Sequence, residues 1–230
     1  MKKVIMSVLK YELYKIPSSA VLMFHHVSAS PEIKMSGCLL ETEKFCRVIE
    51  SFSNFAPLCE VLEKPRQMKI AITFDDGLAD LYTIAYPYLK KHGVPFTAFI
   101  ITDFLDKPGY ITTAQLKEMA EDTLVTIGSH GITHEILPAL AAEEKKRELC
   151  ESKRVLESII GKPVEIFAYS HGQYDKEGLE NARIYKYCMS TAGYPLNFIT
   201  GHDRLRQPRF NFDEQSFDVS YEKVRKIFGR

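Results

Sequence analysis

Short runs dense in β-branched and aromatic residues alternate along the chain with longer amphipathic stretches. That alternation is the pattern of repeated strand and helix units around a mostly parallel sheet. It predicts strands over 20–24, 69–74, 96–101, 124–127, 164–169, 185–190 and 206–210, and helices over 41–52, 79–92, 113–121, 141–160, 175–182 and 213–228. Boundary chemistry agrees: Gly93 follows Lys90-Lys91-His92 and Gly161 precedes Lys162-Pro163, as helix C-caps do, and Thr112 or Thr113 can cap the helix that follows. Seven strands with a similar number of helices predict an α/β fold, a closed or nearly closed βα barrel, with an open doubly wound sheet as the alternative. No internal repeat or Gly/Ser linker divides residues 1–230, so one domain is expected.

With 230 residues, 45% of them apolar, the chain can bury one sizeable core. Thirty basic and thirty acidic side chains balance, which disfavours a nucleic-acid or anionic-membrane footprint and suits a small or neutral substrate. Five scattered cysteines without a Cys-x-x-Cys pair argue against a disulfide framework or a thiolate zinc site. The apolar run from Val4 to Leu9 is short and is followed by Lys10, Glu12 and Lys15. The expectation is a cytoplasmic protein without a transmembrane segment.

In a βα barrel the chemistry gathers where strands end. The run Ile70-Ala71-Ile72-Thr73-Phe74 breaks into Asp75-Asp76-Gly77; the first strand is followed by His25-His26, the fourth by Gly128-Ser129-His130 with His134 beyond, and the fifth by Ser170-His171-Gly172. Strand pleating sends adjacent side chains to opposite faces, so two neighbouring acids are most useful with one on a cation and one on protons. His130 and His134, four apart, can point two imidazoles one way. Joined to Asp76 they make a two-histidine, one-carboxylate set that suits Zn²⁺, with Co²⁺, Ni²⁺ or Fe²⁺ as alternatives.

These residues resemble the polysaccharide deacetylases, the NodB-homology family or carbohydrate esterase family four. The carriers are Thr73-Phe74-Asp75-Asp76-Gly77 and Ser129-His130-Gly131-Ile132-Thr133-His134, and the resemblance spans at least residues 20 to 210. It implies a distorted (β/α)₇ barrel that hydrolyses N-acetyl groups of amino sugars, with Asp76, His130 and His134 on the metal and Asp75 as general base. Such a cation acidifies water to a pKa of about 7 and polarises the amide carbonyl, leaving a neighbouring carboxylate to take the proton. Phe167-Ala168-Tyr169-Ser170-His171-Gly172 resembles the family's third motif, which assigns the oxyanion's N–H donor to the His171 backbone. Two usual parts are missing: Ala168 stands where many members carry an arginine, and no Leu-x-His motif closes the C-terminus. However, Leu22-Met23-Phe24-His25-His26-Val27 resembles a segment of the permuted poly-N-acetylglucosamine deacetylases that supplies the general acid, which makes His25 the candidate acid. Arg206-Gln207-Pro208-Arg209-Phe210 resembles the family's late Pro-Arg strand, so Arg209 is expected beside Asp75.

His202 competes with His25 for the acid role, and His26 is expected in solvent or one layer behind the site. His171 is expected to act through its backbone or to touch substrate through its imidazole. His92 is read as a helix-end residue, the run Glu143-Glu144-Lys145-Lys146-Arg147-Glu148 as a solvated helix face, and Tyr82, Tyr86 and Tyr88 as packing. The expected substrate is an N-acetylated sugar in a polysaccharide or lipid-linked precursor, of surface-polysaccharide or O-antigen type. The rivals are a hydrolase of non-sugar amides on the same fold and a glycan-binding protein that has lost catalysis.

Overall fold

The computed structural model describes residues 17–28, 38–196 and 203–229; the 4–9 run and His202 lie outside them. In chain order the elements are β1 (Ala20–Phe24), β2 (His26–Ser28), β3 (Leu39–Glu41), α1 (Thr42–Ser51), α2 (Leu58–Glu63), β4 (Ile70–Phe74), α3 (Tyr86–Lys91), β5 (Phe96–Ile100), α4 (Thr113–Glu121), β6 (Val125–Ser129), α5 (Ala142–Ile160), β7 (Ile166–Ala168), α6 (Lys176–Asn181), β8 (Tyr187–Met189), β9 (Phe210–Asn211) and α7 (Phe217–Ile227). Seven strands form one sheet in the order β8-β7-β6-β5-β4-β1-β9, every pair parallel. The sheet curls back on itself through the stretch before β9. Gln207 bridges Met189 of β8, and three residues later Phe210 pairs with Leu22 of β1.

Alternation along each strand separates two apolar layers. Ala20, Leu22, Phe24, Ile70, Ile72, Phe74, Phe96, Ala98, Ile100, Phe167 and Phe210 face outward and pack with Phe45, Val48 and Ile49 of α1, Leu116 and Met119 of α4, and Leu149 and Leu156 of α5. Phe24, Phe45 and Phe74 form a ring triangle with centroids 5.4–5.9 Å apart. The intervening positions Val21, Ala71, Phe99, Ile166, Ala168 and Met189 turn inward. The lumen is so tight that a Cβ on Gly128 would come within 2.5 Å of the Phe99 ring. At the N-terminal ends of the strands it is plugged by Leu58, Val61 and Leu62 of α2 with Leu196, leaving the C-terminal ends for the polar residues.

The structure departs from the periodicity in three places. The helix predicted over 79–92 is a π-turn at Leu81–Ala85 followed by α3. Pro87 lies in the first turn of α3 and has no N–H, so the ladder loses a bond there and Tyr86 donates to Leu81 O instead, five residues back. The parallel ladder of β2 with β3 and the six-residue α2 were not foreseen, because elements that short carry too little periodicity. Of the last predicted strand, 206–210, only Phe210 pairs with β1, and the pairing runs on to Asn211, while Arg204 and Gln207 bond the β8 backbone. The caps hold: Thr112 accepts from the Gln115 amide in a capping box, and Gly161 closes α5 in the left-handed conformation. All five cysteines are free thiols, and among the described residues no helix is long and apolar enough to cross a membrane.

Candidate active site

Because Ala71 faces the lumen, the pleat aims Thr73 and then Asp75 the same way at the C-terminal end of β4. Asp75 is 2% exposed and its amide donates to Phe24 O at 2.9 Å. Asp76 follows with φ 71°, a left-handed conformation that costs a non-glycine residue about 1–3 kcal/mol and concentrates where function demands it. His134 and His171 share it, at φ 67° and 55°. Three of the predicted site residues are therefore held in unfavourable backbone geometry by the loops around them.

Arg209 reaches Asp75 from the segment before β9. Its side chain is fully buried, and Nη1 and Nη2 donate to Asp75 Oδ1 and Oδ2 at 2.6 and 2.7 Å, the paired geometry only a guanidinium supplies. Nη1 also meets Thr73 Oγ1 at 3.3 Å, Nε donates to Ser190 O at 3.1 Å, and the guanidinium lies 5.3 Å over the Phe99 ring. Burial opposes the Asp75 charge, but Arg209 and His130 outweigh it and hold the carboxyl below the usual carboxylate range. Ala168, small and inward, leaves the arginine's position to be filled from a different strand.

His130 is 2% exposed. Its Nδ1 lies 2.8 Å from Ala168 O, so the proton on that nitrogen donates to the carbonyl and Nε2 faces Asp76 Oδ1 at 3.4 Å. His134 Nε2 stands 3.4 Å from the same oxygen, and one ligand atom from each of the three residues lies within 4.8 Å of the others. Asp76 Oδ1 is buried and makes no hydrogen bond, which is costly unless a cation completes it. A carboxylate and two imidazoles around an orphaned oxygen fit a borderline divalent cation. The electrostatics agree. Burial disfavours a charged His130, yet Asp75 and Asp76 favour positive charge there and raise its pKa above the ordinary histidine value, as carboxylates set to attract a cation would. Burial and then the His130 charge push His134 down to about 4, leaving it neutral and ready to ligate.

His25 closes the site from the end of β1, its Nε2 4.0 Å from Asp75 Oδ2 and its buried Nδ1 without a hydrogen-bond partner. His171 lies on the loop after β7 with its ring centroid 4.6 Å from that of His134. The structure thus brings Asp75, Asp76, His130, His134, His25, His171 and Arg209 to one end of the sheet. His26 stands one layer behind, its Nδ1 2.7 Å from Asp80 Oδ2, which also accepts the Val27 amide at 2.9 Å. His92 pairs with Tyr88 O at the end of α3, and Tyr82, Tyr86 and Tyr88 pack and bond to Glu118, Asp122 and Glu50.

One expectation is overturned. The 143–148 run is not solvated throughout, for Lys145 and Glu148 are each 6% exposed. Lys145 donates to Asp175 and Glu177 at 2.6 and 3.1 Å, and Glu148 accepts from the loop between His130 and His134. The periodicity held the signal: Lys145, Glu148, Leu149, Ser152 and Leu156 share one stripe of α5, so polar residues at those positions had to be buried with partners. Asp80 left no comparable signal, because the π-turn breaks the helical spacing that would have shown its face.

Comparison with known proteins comes to the same place. The sequence profile described as "Polysaccharide deacetylase" matches residues 63–189. YxkH of Bacillus subtilis (strain 168), a protein named for the polysaccharide deacetylases, is 29% identical over 180 residues, 76% of this chain and 64% of its own length. A poly-beta-1,6-N-acetyl-D-glucosamine N-deacetylase of Staphylococcus epidermidis is 34% identical over 121 residues, 50% of this chain and 39% of its own. The chain therefore spans less than two thirds of either relative. The crystal structure of a polysaccharide deacetylase from Bacillus cereus superposes with a TM-score of 0.77 over 88% of this chain and 68% of that one, at 24% identity, which establishes the shared fold. With a profile match over more than half of its length and the aspartate and histidine motifs folded into one site, the chain belongs to the polysaccharide deacetylase family.

Proposed function

We propose that the chain is one catalytic unit, a metal-dependent hydrolase that removes the acetyl group from an N-acetylated amino sugar in a polysaccharide or lipid-linked glycan precursor of surface-polysaccharide or O-antigen type. The observation that carries the reading is Asp75, clamped by Arg209 beside the Asp76, His130 and His134 cluster, with His25 4.0 Å away. The name of the Staphylococcus epidermidis relative, a poly-beta-1,6-N-acetyl-D-glucosamine N-deacetylase, supports a β-linked N-acetylglucosamine polymer as the first substrate to try.

Asp76, His130 and His134 would hold a divalent cation, Zn²⁺ before Co²⁺, Ni²⁺ or Fe²⁺, which when bound acts as a Lewis acid on the amide carbonyl and acidifies the attacking water. Asp75 is the base that takes the water's proton. Arg209 keeps it ionised and fixes both of its oxygens, so the proton it gains is weakly held and soon passed on. The His171 amide donates to the oxyanion of the tetrahedral intermediate. His25, on the Asp75 side of the site, protonates the departing amine as the C–N bond breaks, giving acetate and the free amino sugar. Ala168 and the lack of a Leu-x-His motif motivated the rival reading of a glycan-binding protein that has lost catalysis; in this mechanism Arg209 and His25 take the corresponding roles from other parts of the sheet.

The experiment is acetate release from N-acetylglucosamine oligomers by Zn²⁺-loaded protein, beside Asp75→Asn and a chelated sample. Release that needs both the metal and Asp75 is expected. Release unchanged by chelation or by Asp75→Asn would sink the mechanism, and release only from a formylated or ureide amide would move the substrate off sugars.

A further inference from the structure

Glu148 is the one acidic side chain of the 143–148 run turned into the protein, and its partners are the residues strung between two cluster histidines. Oε2 accepts from the Ile132 amide at 2.6 Å and the Thr133 amide at 3.2 Å, and Oε1 accepts from Thr133 Oγ1 at 2.6 Å. The carboxylate lies so close to the loop that a Cβ on Gly131 would stand 2.7 Å from Oε2. On its other side the loop is held by two amides after β5, Thr102 N to Gly131 O and Asp103 N to Ile132 O, both 3.1 Å. Clasped between those amides and Glu148, the chain emerges one residue later at His134 with φ 67°. A histidine leaves that conformation for a cheaper one unless its neighbours prevent it.

We infer that Glu148 is a positioning residue for the divalent cation: its carboxylate, anchored on α5, holds the His130–His134 loop in the strained form that aims His134 at Asp76. The inference rests on the metal-binding reading above. Its physical basis is pre-organisation. Three hydrogen bonds to a buried charged acceptor overdetermine the loop, so the strain of the ligating conformation is met when the protein folds and is not taken from the binding energy of the ion. Outer partners of this kind typically change metal affinity about 10- to 100-fold when removed. Glu148 touches no reacting atom and acts only through the loop.

The test is Zn²⁺ affinity by chelator competition, with the thermal midpoint of the metal-free protein measured alongside, for the wild type, Glu148→Ala, Glu148→Gln and Thr133→Val. Glu148→Ala is expected to bind about 10- to 100-fold more weakly. Glu148→Gln is expected to recover to within about fivefold, because its carbonyl still accepts both amides and the Thr133 hydroxyl can turn to accept from the new NH₂. Thr133 is exposed, so Thr133→Val folds even where Glu148→Ala does not, and it should lose about threefold from one missing bond. Two results overturn the inference: affinities of Glu148→Ala and Thr133→Val equal to wild type while the metal-free midpoint falls, or Glu148→Gln as weak as Glu148→Ala. Absence of Zn²⁺ binding by the wild type would instead overturn the metal reading itself.

Discussion

The outer layer and the lumen of the sheet are built on alternate residues of the same strands, and they obey different rules. Outward positions carry large apolar side chains that meet helices, as in the Phe24, Phe45 and Phe74 triangle. Any well-shaped hydrophobe there supplies its transfer energy, about 1.5–3 kcal/mol for a full side chain, without regard to direction. Inward positions are small at the bottom, where Val21 and Ala71 lie, and polar at the top, where Thr73, Asp75 and Arg209 form one hydrogen-bonded column. A buried ion pair is poor value for stability, since desolvation consumes most of the attraction. The outer layer therefore makes the fold, and the lumen column spends part of that stability to hold a charged carboxylate beside a cluster of histidines.

The sharpest way to separate the two layers is Asp75→Asn, which keeps the shape of the column and removes the proposed base. It should cut kcat for acetate release more than about 10³-fold, roughly 4 kcal/mol of barrier, while Zn²⁺ affinity stays within a few-fold. Near-normal turnover would return Asp75 to a structural role. Next comes Arg209→Met, which leaves Asp75 buried without its partner and should cost about 3–5 kcal/mol in urea unfolding at neutral pH. Arg209→Lys should recover little, because one ammonium cannot meet both oxygens; full recovery would show that charge alone suffices.

The pH dependence of metal binding follows in size. His130 carries a raised pKa in the metal-free site, so a cation must displace its proton. Affinity should climb about tenfold per pH unit below that pKa and level off above it, with proton release falling away over the same range, as titration calorimetry in buffers of different ionisation enthalpy would read. His134, at about 4, adds to the slope only in acid. A flat profile from pH 5 to 7 would show that His130 is already neutral. The smallest effect belongs to the outer layer: Ile49→Val, buried on α1, should lower stability by about 1 kcal/mol and leave kcat unaltered. A change in turnover there would mean that the layers are coupled.

Much of this was legible in the chain because its signals are local. Period-two runs ending in Asp or His locate strand ends, and in a parallel βα array strand ends share one face, so Asp75, Asp76, His130 and His134 could be grouped before any contact was known. His25 stood at a strand end like the others, but its acid role was reachable only through resemblance, as was Arg209, since 134 residues separate Arg209 from Asp75 and no spacing rule crosses that distance. Glu148 was misread because a run of mixed charges looks solvated until its helical phase is followed. Asp80 behind His26 and the β2–β3 ladder lay in segments too short or irregular for periodicity to speak.

The sequence by itself determined the alternation of strand and helix, the cap at Gly161 and one at Thr112 or Thr113, and which side chains stand at the ends of strands, because each depends on neighbours within a few residues. The tertiary structure alone decided which distant residues complete the column and the clasp. Closure of the sheet brings the segment before β9 against β1 and delivers Arg209 into the lumen that Ala168 leaves open, and packing of α5 on β6 sets Glu148 under the histidine loop. Those choices belong to chain closure and helix packing, where one buried charge finds its partner across more than a hundred residues and no local propensity records the pairing.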